Sequence, residues 1–371
     1  MSHASRRALV GALLSLAACL LLAGCNKTPK DSSQQDPQKA EHASKAAGAT
    51  KSEPAPRAGK PYVIAWSVWT GWMPFKLMDQ KGFLAQRAKE HNVSIELKEF
   101  KGYMDSVQAF AAKKVDGVAM TSMESLQPAS NGVDSVGLLV NDISNGGDGI
   151  LLRGADPSLE QIKGKTVLLE EFSVSHYLLN RALQTKGMSE KDVKVKNIPG
   201  DEAGKAFLTD GSVQAVATWN PHLFQAVEAK KGKVVFSSKD IPGEIIDFLV
   251  VSGDALKETP KLGRALTDAW YDAMAYIADT KTRGDAIEIM AKAAGASVQE
   301  FNRMLADTDL YTDRKRCAEF LDSDRLKQTM AKVKKFSYDK RLLKDASFEI
   351  GYGQAAKEKL RFDSSYVRAG L

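Results

Sequence analysis

From Pro61 onward, short apolar runs alternate with amphipathic segments, and this alternation restricts the fold more than any other feature of the sequence. The run YVIAWS at residues 62–67 has the length and character of a buried strand. Residues 75–91 have helical spacing, with a weak point at Gly82. The exchange of strand and helix patterns predicts an α/β fold. A chain of 371 residues is long enough for about two such domains.

The N-terminus has the pattern of a secretory signal peptide. Arg6 and Arg7 precede an apolar run over residues 8–23, which is shorter than the roughly 20 residues that a membrane-spanning helix needs. The run ends in LLAGC, which resembles the bacterial lipobox, where the cysteine is lipidated and becomes the new N-terminus. We therefore predict a lipoprotein signal peptide over residues 1–24 and lipidation of Cys25. An ordinary cleaved signal with a chance cysteine is the alternative.

Residues 25–60 differ in composition from the rest of the chain. They contain no aromatic and no branched aliphatic side chain, so we expect a disordered tether after the acylated Cys25. Up to Lys60 there are nine Lys and Arg against four Asp and Glu, whereas the remainder carries 43 against 42. The folded part is therefore near neutral, which argues against nucleic acid as a partner. Leader and tether predict an exported protein, lipid-anchored to a bacterial membrane and facing the periplasm or the cell surface.

Residues with catalytic or metal-binding chemistry do not cluster in the sequence. The five histidines are scattered, zinc spacings and P-loops are missing, and SNGGDG at residues 144–149 does not meet the glycine pattern of a dinucleotide site. Cys317 stands alone once Cys19 and Cys25 are assigned to the leader and the lipid anchor. We predict no metal, no cofactor and no enzymatic activity. Two α/β lobes and export instead predict a binding protein with its ligand between the lobes.

Several motifs occur together in the order found in one family of proteins. The motifs are GWMPF, VDGVAMTSMESL, VNDISNGGDGILLRG, EEFSVSHYLL, VATWNP, IPGEIIDFLVV and LRFDSSY. Together they resemble the solute-binding subunits of ABC importers in the taurine/nitrate/sulfonate class, and most of all the branch associated with urea carboxylase. The resemblance extends from about Pro61 to Leu371. Ser122 and Glu124 depart from the Asn and Asp usual in that family, which suggests a slightly different ligand or pocket.

The resemblance implies a two-lobed periplasmic binding protein of type II, with the ligand cleft between lobes joined by two crossover strands. Residues 61–152 plus 245–371 would form lobe 1, and residues 153–244 would form lobe 2. The implied partners are a small-molecule solute and an ABC permease of the inner membrane, and we expect a monomer.

Candidate ligand-binding residues follow from the α/β pattern, because ligands of such folds contact the carboxyl ends of strands and the N-termini of the following helices. The candidates are Trp66, Trp69, Trp72, Ser122, Glu124, Asn145, Glu171, Ser173, His176, Trp219, Asn220 and Asp247. Ordinary core packing is the alternative for Trp66. Glu124 and Glu171 have the alternative of a helix N-cap or first-turn acid, and His176 that of a structural role.

The chemistry of these candidates favours a small nitrogen-rich solute. They are rich in carboxylates and indoles, and Lys and Arg are missing from the selected turns, whereas Asp142 and Asp148 have the context of turn formers. A guanidinium ion pairs its N–H edges with carboxylates and its flat face with tryptophan. Guanidinium or a urea-like solute is therefore the expected ligand. The alternatives are a taurine, sulfonate or nitrate-type anion, or an enzyme of the thiamine-pyrimidine type on the same fold.

Overall fold

The computed structural model describes residues 59–371. The predicted signal peptide, the Cys25 lipidation site and the tether up to residue 58 lie outside the described residues. Within the described part, no helix is both long and apolar enough to cross a membrane.

The strands of the described part pair into two separate sheets. They are β1 (Tyr62–Trp66), β2 (Ile95–Glu99), β3 (Gly117–Thr121), β4 (Ser135–Ser144), β5 (Asp148–Leu152), β6 (Thr166–Leu169), β7 (Lys194–Asn197), β8 (Ala215–Trp219), β9 (Lys233–Ser237), β10 (Ile246–Ser252), β11 (Thr308–Leu310), β12 (Ile350–Tyr352) and β13 (Leu360–Phe362). The larger sheet has the order β12-β13-β4-β10-β3-β1-β2, with β11 paired to β4. The smaller sheet has the order β7-β6-β8-β5-β9.

Helices alternate with these strands and then dominate the C-terminal third. They are α1 (Pro74–Gln80), α2 (Phe83–Glu90), α3 (Tyr103–Ala111), α4 (Leu126–Ser130), α5 (Val174–Thr185), α6 (Gly200–Thr209), α7 (His222–Glu228), α8 (Gly253–Glu258), α9 (Lys261–Ala278), α10 (Arg283–Ala293), α11 (Val298–Ala306), α12 (Arg314–Leu321), α13 (Asp324–Asp339) and α14 (Ser365–Arg368). The predicted α/β class is therefore confirmed. The helical segment expected at 75–91 is split into α1 and α2, because Gly82 adopts φ +75° between them.

The two sheets define two lobes, and we use lobe 1 for the part built on the larger sheet and lobe 2 for the part built on the smaller one. The chain passes from β4 to β5 through residues 145–147, and returns from β9 to β10 through residues 238–245. The expected boundary after Leu152 is therefore several residues too late, since β5 pairs with β8 and β9 of lobe 2. The apolar run GILL at residues 149–152 belongs to lobe 2 and not to lobe 1. An apolar run by itself does not reveal which sheet it joins.

The central strands are buried on both faces, which explains why they read as continuous apolar runs rather than alternating ones. Every residue of β3, β4, β5 and β8 is buried, whereas the edge strands β2 and β7 are half exposed. The carboxyl ends of β1, β3 and β8 and both crossovers meet between the two sheets. That meeting point is where the polar and aromatic residues of the chain converge.

Candidate functional site

A cavity of about 290 Å³ lies between the lobes, and we call it the interlobe cavity. Its lining residues are Ser67, Trp69, Trp72, Tyr103, Thr121, Asp148, Val174, Trp219, Ile245 and Asp247. Asp148, Val174 and Trp219 come from lobe 2, and the others come from lobe 1 or the second crossover. This volume includes solvent at the mouth of the cavity, so the enclosed part suits only a ligand of few atoms.

Aromatic rings form most of the cavity wall. The Trp72 and Tyr103 ring centroids are 5.4 Å apart, and those of Tyr103 and Trp219 are 6.0 Å apart with an edge-on angle of 80°. Trp219 therefore brings a lobe 2 ring into edge contact with a lobe 1 ring. The Trp72 indole nitrogen is buried and has no hydrogen-bond partner within the described chain, so a donor at the site remains available.

Carboxyl groups provide the charge of the site. Asp142 in β4 and Asp247 in β10 are register partners, and their side chains hydrogen-bond each other. The Trp69 indole donates to both Asp142 oxygens, at 3.1 and 3.3 Å. Asp148 enters from lobe 2, where it is the register partner of Trp219. All three carboxyls are at least 97% buried, and Oδ2 of Asp247 has no hydrogen-bond partner among residues 59–371.

Burial raises the pKa of all three carboxyls above their ordinary values. Burial raises the pKa of Asp142 to about 8, although the hydrogen bonds of Trp69 and Asp247 oppose the shift. Burial raises the pKa of Asp148 to about 7, against a hydrogen bond with Ser144. Burial and the nearby carboxyl of Asp142 raise the pKa of Asp247 well above its usual value. Lys, Arg and His are missing from the residues that line the cavity, so compensating charge must come from a bound proton or a bound cation.

Glu124 lies directly behind this wall rather than in it. Its Oε1 accepts from the backbone N–H of Val174 at 2.7 Å, and its Oε2 accepts from the Thr121 hydroxyl. A further side-chain hydrogen bond joins it to Tyr103. Burial raises the pKa of Glu124, and its hydrogen bonds, including one to its own backbone N–H, oppose the shift.

The structure brings four of the predicted site residues to the interlobe cavity. They are Trp69, Trp72, Trp219 and Asp247. Trp69, Trp72 and Trp219 lie at the carboxyl end of a strand or in the turn after it, as the positional rule for α/β folds requires. Asp247 is the exception, because it lies near the amino end of β10, which runs antiparallel to β3.

Other predicted residues lie in the core or behind the wall. Trp66 does not line the cavity, because as the last residue of β1 it packs its ring against Phe75 at 6.3 Å. Ser122 is turned to the second crossover, where its hydroxyl donates to the Glu244 carbonyl at 3.2 Å. Asn220 caps α7, since its Oδ1 accepts from Phe224 N at 3.0 Å.

The predicted residues around the start of α5 are structural as well. Ser173 is the N-cap, and its hydroxyl oxygen accepts from Ser175 N at 3.2 Å. His176 is buried away from the cavity, with Nδ1 accepting from Phe172 N and Nε2 at 3.1 Å from Glu190. Burial lowers the pKa of His176 to about 4.

Asn145 and Glu171 were also expected at the site, and neither reaches it. Asn145 is exposed in the first crossover, where its backbone N–H donates to the Asp307 carbonyl at 2.9 Å. Glu171 is half-buried at the end of β6, with its backbone N–H held by Asn197 at 2.9 Å. Neither residue lines the interlobe cavity.

Sequence reasoning missed Tyr103 and misread Asp142 and Asp148. Tyr103 is the first residue of α3, the helix after β2, so the strand-end rule selects it too. Asp142 and Asp148 looked like turn formers in a Gly-rich and Asn-rich segment, yet they are strand residues of β4 and β5. Within residues 59–371, no group of three or more His, Cys, Asp or Glu side chains is arranged to hold a metal ion.

Two α/β lobes joined by two crossovers around a small-molecule cavity define the class of periplasmic-binding-protein folds, and comparison with known proteins supports this. The chain belongs to the NMT1-like family, whose model matches residues 59–291. Among curated proteins, no sequence matches the chain significantly.

Solved structures share the fold at low sequence identity. The alkanesulfonate-binding protein SsuA from Xanthomonas axonopodis pv. citri bound to MOPS has a TM-score of 0.65 and 18% identity, covering 79% of this chain and 96% of that one. The periplasmic nitrate-binding protein NrtA from Synechocystis PCC 6803 has a TM-score of 0.63 and 12% identity, covering 83% and 87%. The desulfurization enzyme DSZB has a TM-score of 0.55 and 15% identity, covering 76% and 93%. The fold is thus the two-lobed periplasmic-binding-protein fold, found in both binding proteins and an enzyme.

Proposed function

We propose that the protein is the solute-binding subunit of an ABC importer and that its solute is a small planar cation of the guanidinium type. The fold and the names of its structural neighbours support the binding role. The motifs shared with the urea-carboxylase-associated branch support a nitrogen-rich solute. On this proposal the protein passes its solute to a permease of the inner membrane.

One observation carries the choice of ligand. The buried carboxyls of Asp148 and Asp247 face a cavity walled by aromatic rings, and the residues lining that cavity include no basic side chain. Buried carboxylates without a cationic partner are costly, so the ligand is the natural source of the missing positive charge.

Guanidinium fits both parts of this site. Its N–H groups form paired hydrogen bonds with a carboxylate, and Oδ2 of Asp247 has a free acceptor position for one of them. Its flat face stacks on an aromatic ring, and each such cation–π contact contributes roughly 0.5–2 kcal/mol. Trp72 and Trp219 line the cavity and present rings for that contact.

Urea is the second candidate, and the raised carboxyl pKa values favour it over an anion. A protonated Asp148 donates a hydrogen bond that the urea carbonyl accepts, so a neutral amide can bind without bringing charge. A sulfonate or nitrate would bind near several acids. Val174 N, at the helix N-terminus closest to the cavity, already donates to Glu124.

The enzyme alternative finds less support at the cavity. Among the described residues that line it, neither Cys nor His is present. Cys317 is buried against Val140 N at 3.3 Å in lobe 1, and burial raises the pKa of its thiol to about 11. A thiol with that pKa is a poor nucleophile at neutral pH.

The test is a thermal-shift screen of the full-length chain with guanidinium, methylguanidinium, urea, taurine and nitrate at millimolar concentration, followed by calorimetry. A ligand at 100 times its Kd adds about 2.7 kcal/mol to the free energy of unfolding. Stabilisation by guanidinium and not by taurine or nitrate is the expected result. Stabilisation by taurine or nitrate alone would reject the cationic ligand.

The Asp247→Asn variant tests the site itself. Replacing this carboxyl removes a charged hydrogen bond to the ligand, so guanidinium affinity should fall by about 2 kcal/mol. Glu171→Gln is the matched control, because Glu171 is an acid of the same lobe interface that does not line the cavity, and its affinity should equal that of the wild type. Equal affinities for Asp247→Asn and the wild type would remove Asp247 from the site.

A further inference from the structure

The Glu124 carboxyl interacts with three groups, and each of them belongs to a residue that lines the interlobe cavity. The partners are the Thr121 hydroxyl, Tyr103 and the backbone N–H of Val174. The Tyr103 hydroxyl in turn accepts from Thr121 N at 3.0 Å, which closes the network on the lobe 1 side. Glu124 itself does not line the cavity. One buried side chain therefore organises three of the ten lining residues from behind.

The same side chain joins the two lobes. Glu124 follows β3 in lobe 1, whereas Val174 is the first residue of α5 in lobe 2. Their 2.7 Å hydrogen bond satisfies one of the backbone N–H groups that a helix leaves unpaired at its N-terminus. When the lobes separate, this bond must break, and the carboxyl that fixes Thr121 and Tyr103 loses its third partner.

We infer that Glu124 is a positioning residue that couples closure of the lobes to assembly of the cavity wall. Contact with Val174 N holds the carboxyl in the one orientation in which it also fixes Tyr103 and Thr121. The ring of Tyr103 then lies between those of Trp72 and Trp219, as described above. The inference depends on the proposed function for the identity of the ligand, but not for the coupling itself.

A competing explanation is that Glu124 acts only through its negative charge near a cationic ligand. Two conservative variants separate these roles. Glu124→Asp keeps the charge but is one methylene shorter, so it cannot contact Val174 N and Thr121 together. Glu124→Gln loses the charge but keeps the length and one carbonyl acceptor for Val174 N.

The experiment measures guanidinium affinity by calorimetry and guanidinium release by stopped-flow tryptophan fluorescence in full-length wild type and both variants. If the contact between Glu124 and Val174 N determines affinity, Glu124→Asp should bind guanidinium about tenfold or more weakly than the wild type. It should also release guanidinium faster by a similar factor. Glu124→Gln stays within about threefold of the wild type. If Glu124→Asp keeps wild-type affinity while Glu124→Gln loses it, charge decides and the inference is wrong. Equal losses in both variants also overturn it.

Two control variants separate this network from its surroundings. Glu171→Asp makes the same one-methylene change in a half-buried acid beside α5, and should bind as the wild type does. Gln127→Ala removes another bond between the lobes, the one that Gln127 Nε2 donates to the Phe172 carbonyl at 2.9 Å, without touching a residue of the cavity wall. A loss in Gln127→Ala as large as that in Glu124→Asp would show that any contact between the lobes suffices, contrary to the inference.

Small-angle X-ray scattering without ligand keeps this test independent of the ligand's identity. If the wild type binds no guanidinium, the proposed ligand fails, while a larger radius of gyration for Glu124→Asp than for the wild type still supports the coupling. Identical scattering of the two proteins, with and without ligand, would overturn it.

Discussion

Burial in the fold raises the pKa of Asp142, Asp148 and Asp247, which favours their uncharged forms. Burial raises the pKa of Asp142 to about 8 and that of Asp148 to about 7, so both carboxyls change charge near neutral pH. In the empty site a bound proton offsets part of the desolvation cost, and under the proposed function a bound cation would replace it. If the ligand is a cation, it and the proton compete for the same carboxyl oxygens.

The first prediction is a pH dependence of binding. Guanidinium affinity should fall as pH is lowered from 8.5 to 6, by up to about tenfold per pH unit for each proton that the ligand displaces. Calorimetry in buffers of different ionisation enthalpy measures both the affinity and the protons released. An affinity that is constant over this range, with no proton release, would contradict competition between proton and cation.

The stability of the ligand-free protein should show the complementary trend. The folded-state pKa of Asp148 is about 7 against an ordinary value of 3.8, so between these limits the folded chain binds more protons than the unfolded chain. This carboxyl then contributes stability at pH 4 that is lost as pH rises towards 7. The thermal shift caused by guanidinium should accordingly be larger at pH 8 than at pH 6.

At the scale of elements, the start of α6 is built around one ring of the cavity wall. Gly200 is the first residue of α6, and a Cβ at that position would lie 2.0 Å from the tip of the Trp219 indole. A similar close approach occurs at Gly71, where a Cβ would lie 1.9 Å from Oδ2 of Asp142. The backbone thus supports a ring and a carboxyl of the site directly, with no side chain between them.

The second prediction concerns Gly200→Ala. The added methyl group must displace the Trp219 ring towards the cavity, so guanidinium affinity should fall by the roughly 1–3 kcal/mol typical of overpacking. Alanine favours the helix more than glycine does, which offsets part of the loss in folding stability.

Gly211→Ala is the matched control, because a Cβ there meets no atom within 4 Å. Calorimetry with guanidinium, alongside thermal unfolding, checks both variants. A Gly200→Ala protein that binds as the control does would show that Trp219 is free to shift without cost to the site.

Sequence patterns could predict some of the strands and site residues, but not the assignment of every strand to a lobe. A continuous apolar run located the buried strand β1, because burial of a short strand depends on local chemistry. Such runs could not assign β5 to lobe 2, since pairing with β8 depends on residues far along the chain. For the site, the strand-end rule located Trp72 and Trp219, but it could not distinguish a ring that lines the cavity from a core ring such as Trp66.

At the scale of the whole molecule, the third prediction concerns attachment to the membrane. If Cys25 carries the lipid, wild-type protein should sediment with bacterial membranes, and Cys25→Ser should move into the soluble fraction, because most of the binding energy of such an anchor comes from its acyl chains. Fractionation followed by immunoblotting measures this. The control is Cys317→Ser, which changes a buried thiol of lobe 1 and should leave the distribution unchanged.

If the Cys25→Ser protein is soluble, its leader is still recognised by the export machinery, but the protein carries no lipid. Wild-type protein found in the soluble fraction would instead favour an ordinary cleaved signal. Either outcome leaves the interlobe cavity unaffected, since Cys25 lies outside the described residues.

The topology also sets an order of events for a nascent chain. The five strands of lobe 2 are contiguous, from Asp148 to Ser237, so that sheet is complete as soon as its own residues have been synthesised. Lobe 1 must wait, because β4 pairs with β10, β11 and β13 and not with β3. The ten residues of β4 therefore remain without strand partners while the chain from β4 to β10, about a hundred residues, is made. The segment that carries Asp142 is therefore paired only after β10 has been made.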